Sequence, residues 1–366
     1  MSQESIQKFR TWIAEQGLDA FYVTLPQSAS YLSGWLNDEE GAIAVLVSAQ
    51  QQILLTNALF SEVAERSAPG WKVMLPSGRD YAKTIASLAQ EHGWKKIGFE
   101  APVMRYSNYE QLRQAGADIF TLQPFEQNIV ERLRYVKDAH ELELLRRAIA
   151  ITDETFAHIC QWIQPGMTEK EVAWEIQRKT IELGAEGLSF PSIVASGPNG
   201  SMPHAIPGER CIQRGELITI DMGARYHGYC ADMTRTICLG EPAEPRMQEV
   251  YDKVLHAMNI CEQGLSSHVT GREADALARN VLAEAGLADY FIHSTGHGVG
   301  LEIHENPSLS QRAPEDFKLP VGCIVTVEPG VYIPGWTGTR VEDCVLITEN
   351  GAEVLTKSPT TLVLPR

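Results

Sequence analysis

The chain has 366 residues, enough for two domains with sizeable cores, and its 44% hydrophobic and 21% charged residues are ordinary for a globular enzyme. Lys+Arg 31 against Asp+Glu 47 gives a net charge of −16, which argues against nucleic acid or an anionic membrane surface as the main partner. The first residues lack the apolar core of a signal peptide, no apolar run is long enough to span a bilayer, and seven cysteines without C-x-x-C spacing read as a reduced cytoplasmic protein.

Residues 3–17 make an amphipathic helix ended by Gly17. Next come a strand over 19–25, a hairpin over 42–56, a helix from Ala58 and a strand over 72–75. A helix over 81–91, a strand over 96–100, a helix over 106–114 and a strand over 118–122 follow. This alternation predicts an α/β layer with a mixed sheet over residues 1–127. It contains no phosphate-cradling glycine loop. A boundary falls near 124–128, and a second domain is expected over 128–366.

The second part opens with a long charged helix over 137–162, whose apolar stripe suits packing on a sheet and whose charges form a solvated face. From there the chain runs through one plan twice. Thr168 and Glu171 open a helix as a capping box that ends at Gly184, and Thr270 and Glu273 open another, 102 residues on, that ends at Gly286. His204-Ala205-Ile206-Pro207 matches His304-Glu305-Asn306-Pro307 at an offset of 100. Each histidine precedes a hairpin carrying two acids. With a turn centred on Tyr226 and His227, Asp221 lies directly opposite Asp232; with a turn near Gly335, Glu328 lies opposite Glu342. Directly opposed Cβ atoms are roughly 5 Å apart, and like charges there destabilise a sheet unless a cation sits between them or a proton is shared. The repetition favours the cation.

In Gly296-His297-Gly298-Val299-Gly300 the glycines allow close approach of the backbone while His297 projects from it. One imidazole beside four carboxylates is a borderline N/O donor set that suits Mn²⁺, Co²⁺ or Zn²⁺, where acids alone would suit Ca²⁺ or Mg²⁺.

Two aspartates on one hairpin, G-H-G-V-G, E-P-G at Glu328 and R-x-E at Arg340–Glu342 together resemble the pita-bread metallopeptidases, in their prolyl branch of Xaa-Pro aminopeptidase and Xaa-Pro dipeptidase. The resemblance runs from about Val130 to the end of the chain; Ala29-Ser30-Tyr31-Leu32-Ser33-Gly34 extends it to a creatinase-type N-terminal domain. It implies an α+β pita-bread catalytic domain with pseudo-twofold duplication and two divalent ions, Mn²⁺ first, sharing a hydroxide. Asp221, Asp232, His297, Glu328 and Glu342 would be the ligands, with Asp232 and Glu342 bridging. Catalysis would fall to His204, His304 and Glu328. Substrate would be bound by His293 at the proline pocket, by His304 and by Arg340, an arginine beside the bridging glutamate. The substrate would be a small peptide or dipeptide with proline in second position, and the enzyme a cytoplasmic homodimer.

A metal-free creatinase-like C–N hydrolase or a non-catalytic binding module on the same fold would have lost ligand acids, and all five ligand types stand here. Such a module would also be expected to carry long charged extensions, whereas the chain stops soon after its last predicted strand. Weaker features keep bland readings: residues 35–40 as a solvated acidic turn, Arg312 as an ordinary loop arginine, and His140, His158, His256 and His268 as structural helix residues.

Overall fold

The structure, a computed structural model, describes residues 3–39, 41–76, 78, 80–127 and 129–365. Glu40 of the acidic turn and Asn128 at the expected boundary lie outside the described residues. The chain divides into two compact units, Met1–Arg134 and Tyr135–Arg366.

The first unit contains α1 (Gln3–Glu15), β1 (Ala20–Val23), α2 (Pro26–Ser33), β2 (Ala44–Ser48), β3 (Gln52–Leu55), α3 (Ser61–Ser67) and β4 (Lys72–Met74). It continues with α4 (Tyr81–His92), β5 (Lys96–Glu100), α5 (Tyr106–Ala115), β6 (Thr121–Phe125) and α6 (Ile129–Arg134). The six strands form one sheet in the order β4-β3-β2-β1-β5-β6, mixed as expected because β2 alone runs antiparallel to its neighbours. Gly17, Gly34 and Gly93 end helices at positive φ, a conformation that costs glycine nothing. The last strand begins three residues later than its apolar pattern suggested, because Gly116 ends α5 and Ile119 and Phe120 close the turn onto its carbonyl. Helix α6 belongs to this unit; it packs near α1 and α2, and the Tyr31 hydroxyl donates to the Leu133 carbonyl at 3.2 Å.

The second unit begins with α7 (Ala139–Trp162), capped by Asp138, then α8 (Glu169–Glu182), β7 (Gly187–Leu188), β8 (Ile193–Ser196), β9 (Leu217–Met222), β10 (Ala224–Tyr226), β11 (Tyr229–Cys230) and β12 (Met233–Leu239). Its second half holds α9 (Pro245–Gly264), α10 (Gly271–Glu284), β13 (Gly296–Gly298), β14 (Glu305–Leu309), β15 (Ile324–Val327), β16 (Gly330–Tyr332), β17 (Gly338–Arg340), β18 (Asp343–Thr348), β19 (Gly351–Val354) and β20 (Val363–Leu364). The duplication is visible element by element. Helices α8 and α10 have equal length, each starts from a reciprocal Thr–Glu capping box, and each is followed by a glycine at positive φ. The antiparallel run β8-β9-β12 corresponds to β13-β15-β18, and each hairpin is prolonged by a short ribbon, β10-β11 or β16-β17. Each helix pair supplies the apolar layer of its sheet: Phe156, Ile159, Val172 and Ile176 pack on one, Val254, Met258, Ala278 and Leu282 on the other. With one sheet face dry against helices, the polar residues of the hairpins are confined to the opposite face.

Candidate metal centre

The two acid hairpins meet through β12. The Glu342 N–H donates to the Thr234 carbonyl at 3.0 Å, and the buried Arg235 donates to the Glu342 carbonyl at 2.6 Å and to the Asp343 carboxylate at 2.6 Å. In the second hairpin the pairs Val327–Asp343 and Gly330–Arg340 lie on one register, which sets Glu328 opposite Glu342 about the Gly335 turn, as expected. The first hairpin corrects the expectation. Its turn is His227–Gly228, both at positive φ (46° and 81°), the type I′ geometry that matches strand twist. Asp221 therefore pairs with Thr234, and Asp232 sits diagonally from Asp221. A slip of two residues returns every side chain to its own face, so both aspartates still point the same way.

Asp232, His297 and Glu342 each present a ligand atom within 4.8 Å of the others. The His297 Nε2 lies 3.5 Å from Asp232 Oδ2 and 3.4 Å from Glu328 Oε1. His297 Nδ1 donates to the Gly298 carbonyl at 3.0 Å, so the lone pair is on Nε2, facing the acids. Burial pushes the His297 pKa down to about 4, keeping the ring neutral and able to ligate. The same burial, then the neighbouring carboxylates, raises Asp232 and Glu342 well above the usual range. Glu328 is pushed up to about 8, by burial first, with Asp221 adding to the rise against the pull of Arg340. Asp221 Oδ1 is buried and has no hydrogen-bond partner among the described residues. Repelling acids, an orphaned carboxylate oxygen and a neutral imidazole fit divalent cations: a cation supplies the missing charge and the missing partner.

Around the cluster runs a chain of hydrogen bonds. The buried Arg340 donates to Asp221 Oδ2 at 2.5 Å, to Thr234 Oγ1 at 3.0 Å and to the Tyr332 hydroxyl at 2.6 Å. Tyr332 lies 3.0 Å from His293 Nε2, and His293 Nδ1 donates to the Ser294 carbonyl at 2.7 Å, so the tyrosine hydroxyl donates to the ring. Thr234 gives its hydroxyl proton to Glu342 at 2.6 Å, and Thr326 accepts from the His297 N–H at 3.1 Å. Tyr332, Thr234 and Thr326 escape a reading that looks for acids and histidines. The signal was present: each lies two or four residues along the same hairpin arm from a ligand candidate, and so on the same face. Asp275 and Arg279 had no such signal. Arg279 makes a paired contact with Asp275 and donates to the His293 carbonyl, while Asp275 accepts from the Thr295 N–H and hydroxyl, holding the segment before His297.

The cluster floors a cleft of about 650 Å³. His204 and His304 are exposed on its walls, and His304 stacks edge-on to His297 with centroids 4.4 Å apart. His293 also lines it, with both nitrogens engaged. The walls beyond are apolar, including Phe190, Pro191, Ile206 and Ile292. Arg312 is exposed and does not line the cleft; His158 pairs with Glu175 on α8 at 2.6 Å. In the first unit Trp35 is buried against Phe60, whereas Asp38 and Glu39 are exposed.

Buried carboxylates and a neutral imidazole, carried by duplicated hairpins under an open cleft, define a metal-dependent hydrolase of pita-bread architecture. Residues 143–349 match the model of metallopeptidase family M24, and residues 5–136 match that of the creatinase/prolidase N-terminal domain. The chain belongs to metallopeptidase family M24. It is 36% identical over 359 residues to an uncharacterised Bacillus subtilis peptidase, YqhT, covering 98% of this chain and 99% of that one. Among solved structures it resembles the Xaa-Pro dipeptidase from Bacillus anthracis (TM-score 0.91, 39% identity, 98% and 99% covered). It also resembles the X-Pro aminopeptidase from Thermotoga maritima (TM-score 0.86, 33% identity, 95% and 98% covered).

Proposed function

We propose that the protein is a dinuclear exopeptidase that hydrolyses the bond between an N-terminal residue and proline in dipeptides or short peptides. The observation that carries this is the buried acid–histidine cluster at the floor of an apolar-walled cleft, supported by relatives named for Xaa-Pro cleavage. Asp221, Asp232, His297, Glu328 and Glu342 would hold two divalent ions, Mn²⁺ first, with Asp232 and Glu342 shared. Ions held there would supply Lewis-acid polarisation of the scissile carbonyl and a water whose pKa is lowered toward about 7.

The protein's own groups do the rest. Arg340 holds Asp221 in place, and Thr234 holds Glu342. His204 and His304 line the cleft, and in this reading they would donate to the carbonyl oxygen as charge develops on it. Glu328 would carry a proton to the leaving proline nitrogen. An Xaa-Pro bond offers no N–H, so the ring is selected by shape, and His293 and the apolar wall at Ile292 give it a slot. In this reading the catalytic function resides in residues 128–366, and the enzyme is a cytoplasmic homodimer, as in the family it resembles.

The test compares Ala-Pro, Ala-Pro-Ala, N-acetyl-Ala-Pro and Ala-Ala under saturating Mn²⁺. Cleavage of Ala-Pro with the acetylated peptide and Ala-Ala left intact is the expected result. Ala-Ala cut as fast as Ala-Pro would defeat the prolyl assignment, and rapid cleavage of the acetylated peptide would defeat the exopeptidase one. Cleavage of Ala-Pro-Ala separates aminopeptidase from dipeptidase.

A further inference from the structure

The loop that carries His204 is held from behind by a buried carboxylate that takes no part in the metal cluster. Glu169 is the first residue of α8 and is 0% exposed. Its Oε1 accepts from the Ser196 N–H at 2.8 Å, from the Ser196 hydroxyl at 2.7 Å and from the Asn199 side-chain amide at 3.0 Å. Its Oε2 accepts from the same amide at 3.1 Å and from the Gly208 N–H at 3.2 Å. One side chain thus ties Ser196 and Asn199, ahead of His204, to Gly208 behind it. Backbone bonds complete the seam: the N–H groups of Glu169 and Lys170 donate to the carbonyls of Arg210 and Gly208, each at 3.1 Å. Arg210 in turn donates to the Ser196 hydroxyl at 2.6 Å and pairs with Glu216 at 2.6 Å. A buried carboxylate is tolerated only with its hydrogen bonds made, so any shift of the loop away from it is resisted.

The segment between these anchors belongs to the cleft. Pro203, His204, Ala205, Ile206 and Pro207 all line it. Ala205 is buried with Ile193 and Ala195 of β8, while His204 and Ile206 are exposed. Gly200 sits against β17, where a Cβ on Gly338 would collide with its carbonyl oxygen. The other half of the duplication makes the same junction without a side chain. At the offset of 102 the counterpart of Glu169 is Gly271, the first residue of α10. A Cβ there would collide with the carbonyl oxygen of Ser308, the counterpart of Gly208 at the offset of 100. That helix start therefore touches the segment behind its histidine directly. Around His204 the loop stands off by the length of a side chain, and Glu169 spans the gap.

We propose that Glu169 is a positioning residue for the reaction: by clamping both ends of the 196–208 loop it sets the place of His204 on the cleft wall. This rests on the reading that gives His204 the carbonyl oxygen. The test is a double-mutant cycle under saturating Mn²⁺, on whichever of Ala-Pro and Ala-Pro-Ala is cut faster. Glu169→Gln keeps the volume and one acceptor oxygen but turns an amide NH₂ toward the donors of the loop. Asn199→Ala removes the amide contacts ahead of His204 alone and is the milder change, so it carries the cycle if Glu169→Gln does not fold. A group misplaced by about 1 Å can cost about 10² in rate, so Glu169→Gln should lower kcat by about tenfold or more, and Asn199→Ala by less. Bound metal, measured by elemental analysis, should be unchanged in both. Added to His204→Ala, neither should lower kcat by more than about a further twofold, because the group they position is gone. An equal loss in both backgrounds would overturn the proposal, as would a fall in kcat matched by lost metal or an unaltered kcat in both variants. An unaltered kcat in His204→Ala would overturn the role of His204 and this proposal together, which tells the two failures apart.

Discussion

Removing the cations should make the fold pH-sensitive in a direction fixed by the cluster. Glu328 has a pKa raised from the usual 4.5 to about 8, and Asp232 and Glu342 are raised too, all by burial first. An acid that binds its proton more tightly when folded stabilises the fold fully below its unfolded pKa. That stability is lost as pH rises through the folded value. For Glu328 the window runs from about 4.5 to about 8. At roughly 1.4 kcal/mol per pKa unit the loss is on the order of 3–5 kcal/mol. For a unit of this size that is about 10 °C in Tm. With divalent ions bound, the carboxylates are neutralised without protons and the dependence should flatten, while binding to the folded state alone adds stability. The assay is thermal unfolding of chelator-stripped and metal-loaded protein at a series of pH values from about 5 to 8.5. Glu328→Gln removes one charge, so the stripped variant should melt above stripped wild type at about pH 8. A stripped protein whose Tm holds or rises across the window, or a Glu328→Gln protein no more stable than wild type there, would refute the reasoning.

Asp232→Ala and Glu342→Ala should each abolish activity and lower bound metal, as measured by elemental analysis; two ions per chain retained in either variant would sink its bridging role. His204→Ala and His304→Ala should lower kcat by about 10²–10³ with metal content unchanged. An unaltered kcat would remove that histidine from the mechanism. Lys137 and Glu305 form a fully buried ion pair at 3.3 Å, so Lys137→Met should cost roughly 3–5 kcal/mol in chemical denaturation by stranding the glutamate. The double variant with Glu305→Gln should recover much of it, and no recovery would show that the cost lies elsewhere.

The parts of the fold legible beforehand are those in which each residue's role depends on near neighbours. The capping boxes at Thr168 and Thr270, the glycine stops, the β2-β3 hairpin and the Gly335-centred hairpin are local patterns, and the structure keeps them. The first acid hairpin shows the limit. Its two long arms were expected where β9 and β12 run, but residues 224–226, expected in the turn, form β10, and its register turned on one dihedral at His227, which propensity alone does not place at positive φ. Strand parity nevertheless kept Asp221 and Asp232 on one face, because the slip was two residues.

By itself, then, the sequence determined which residues are brought to one cleft: five ligand-type side chains at repeated spacings, with strand parity sorting them onto one face. What only the tertiary structure decided is the state of those groups. The tautomer of His297, the raised pKa values of Glu328, Asp232 and Glu342, and the Arg340–Tyr332–His293 chain arise where residues as far as 119 positions apart are buried together. Desolvation and Coulomb energy depend on distance in space and on the exclusion of water, and neither is encoded in the spacing of residues along the chain.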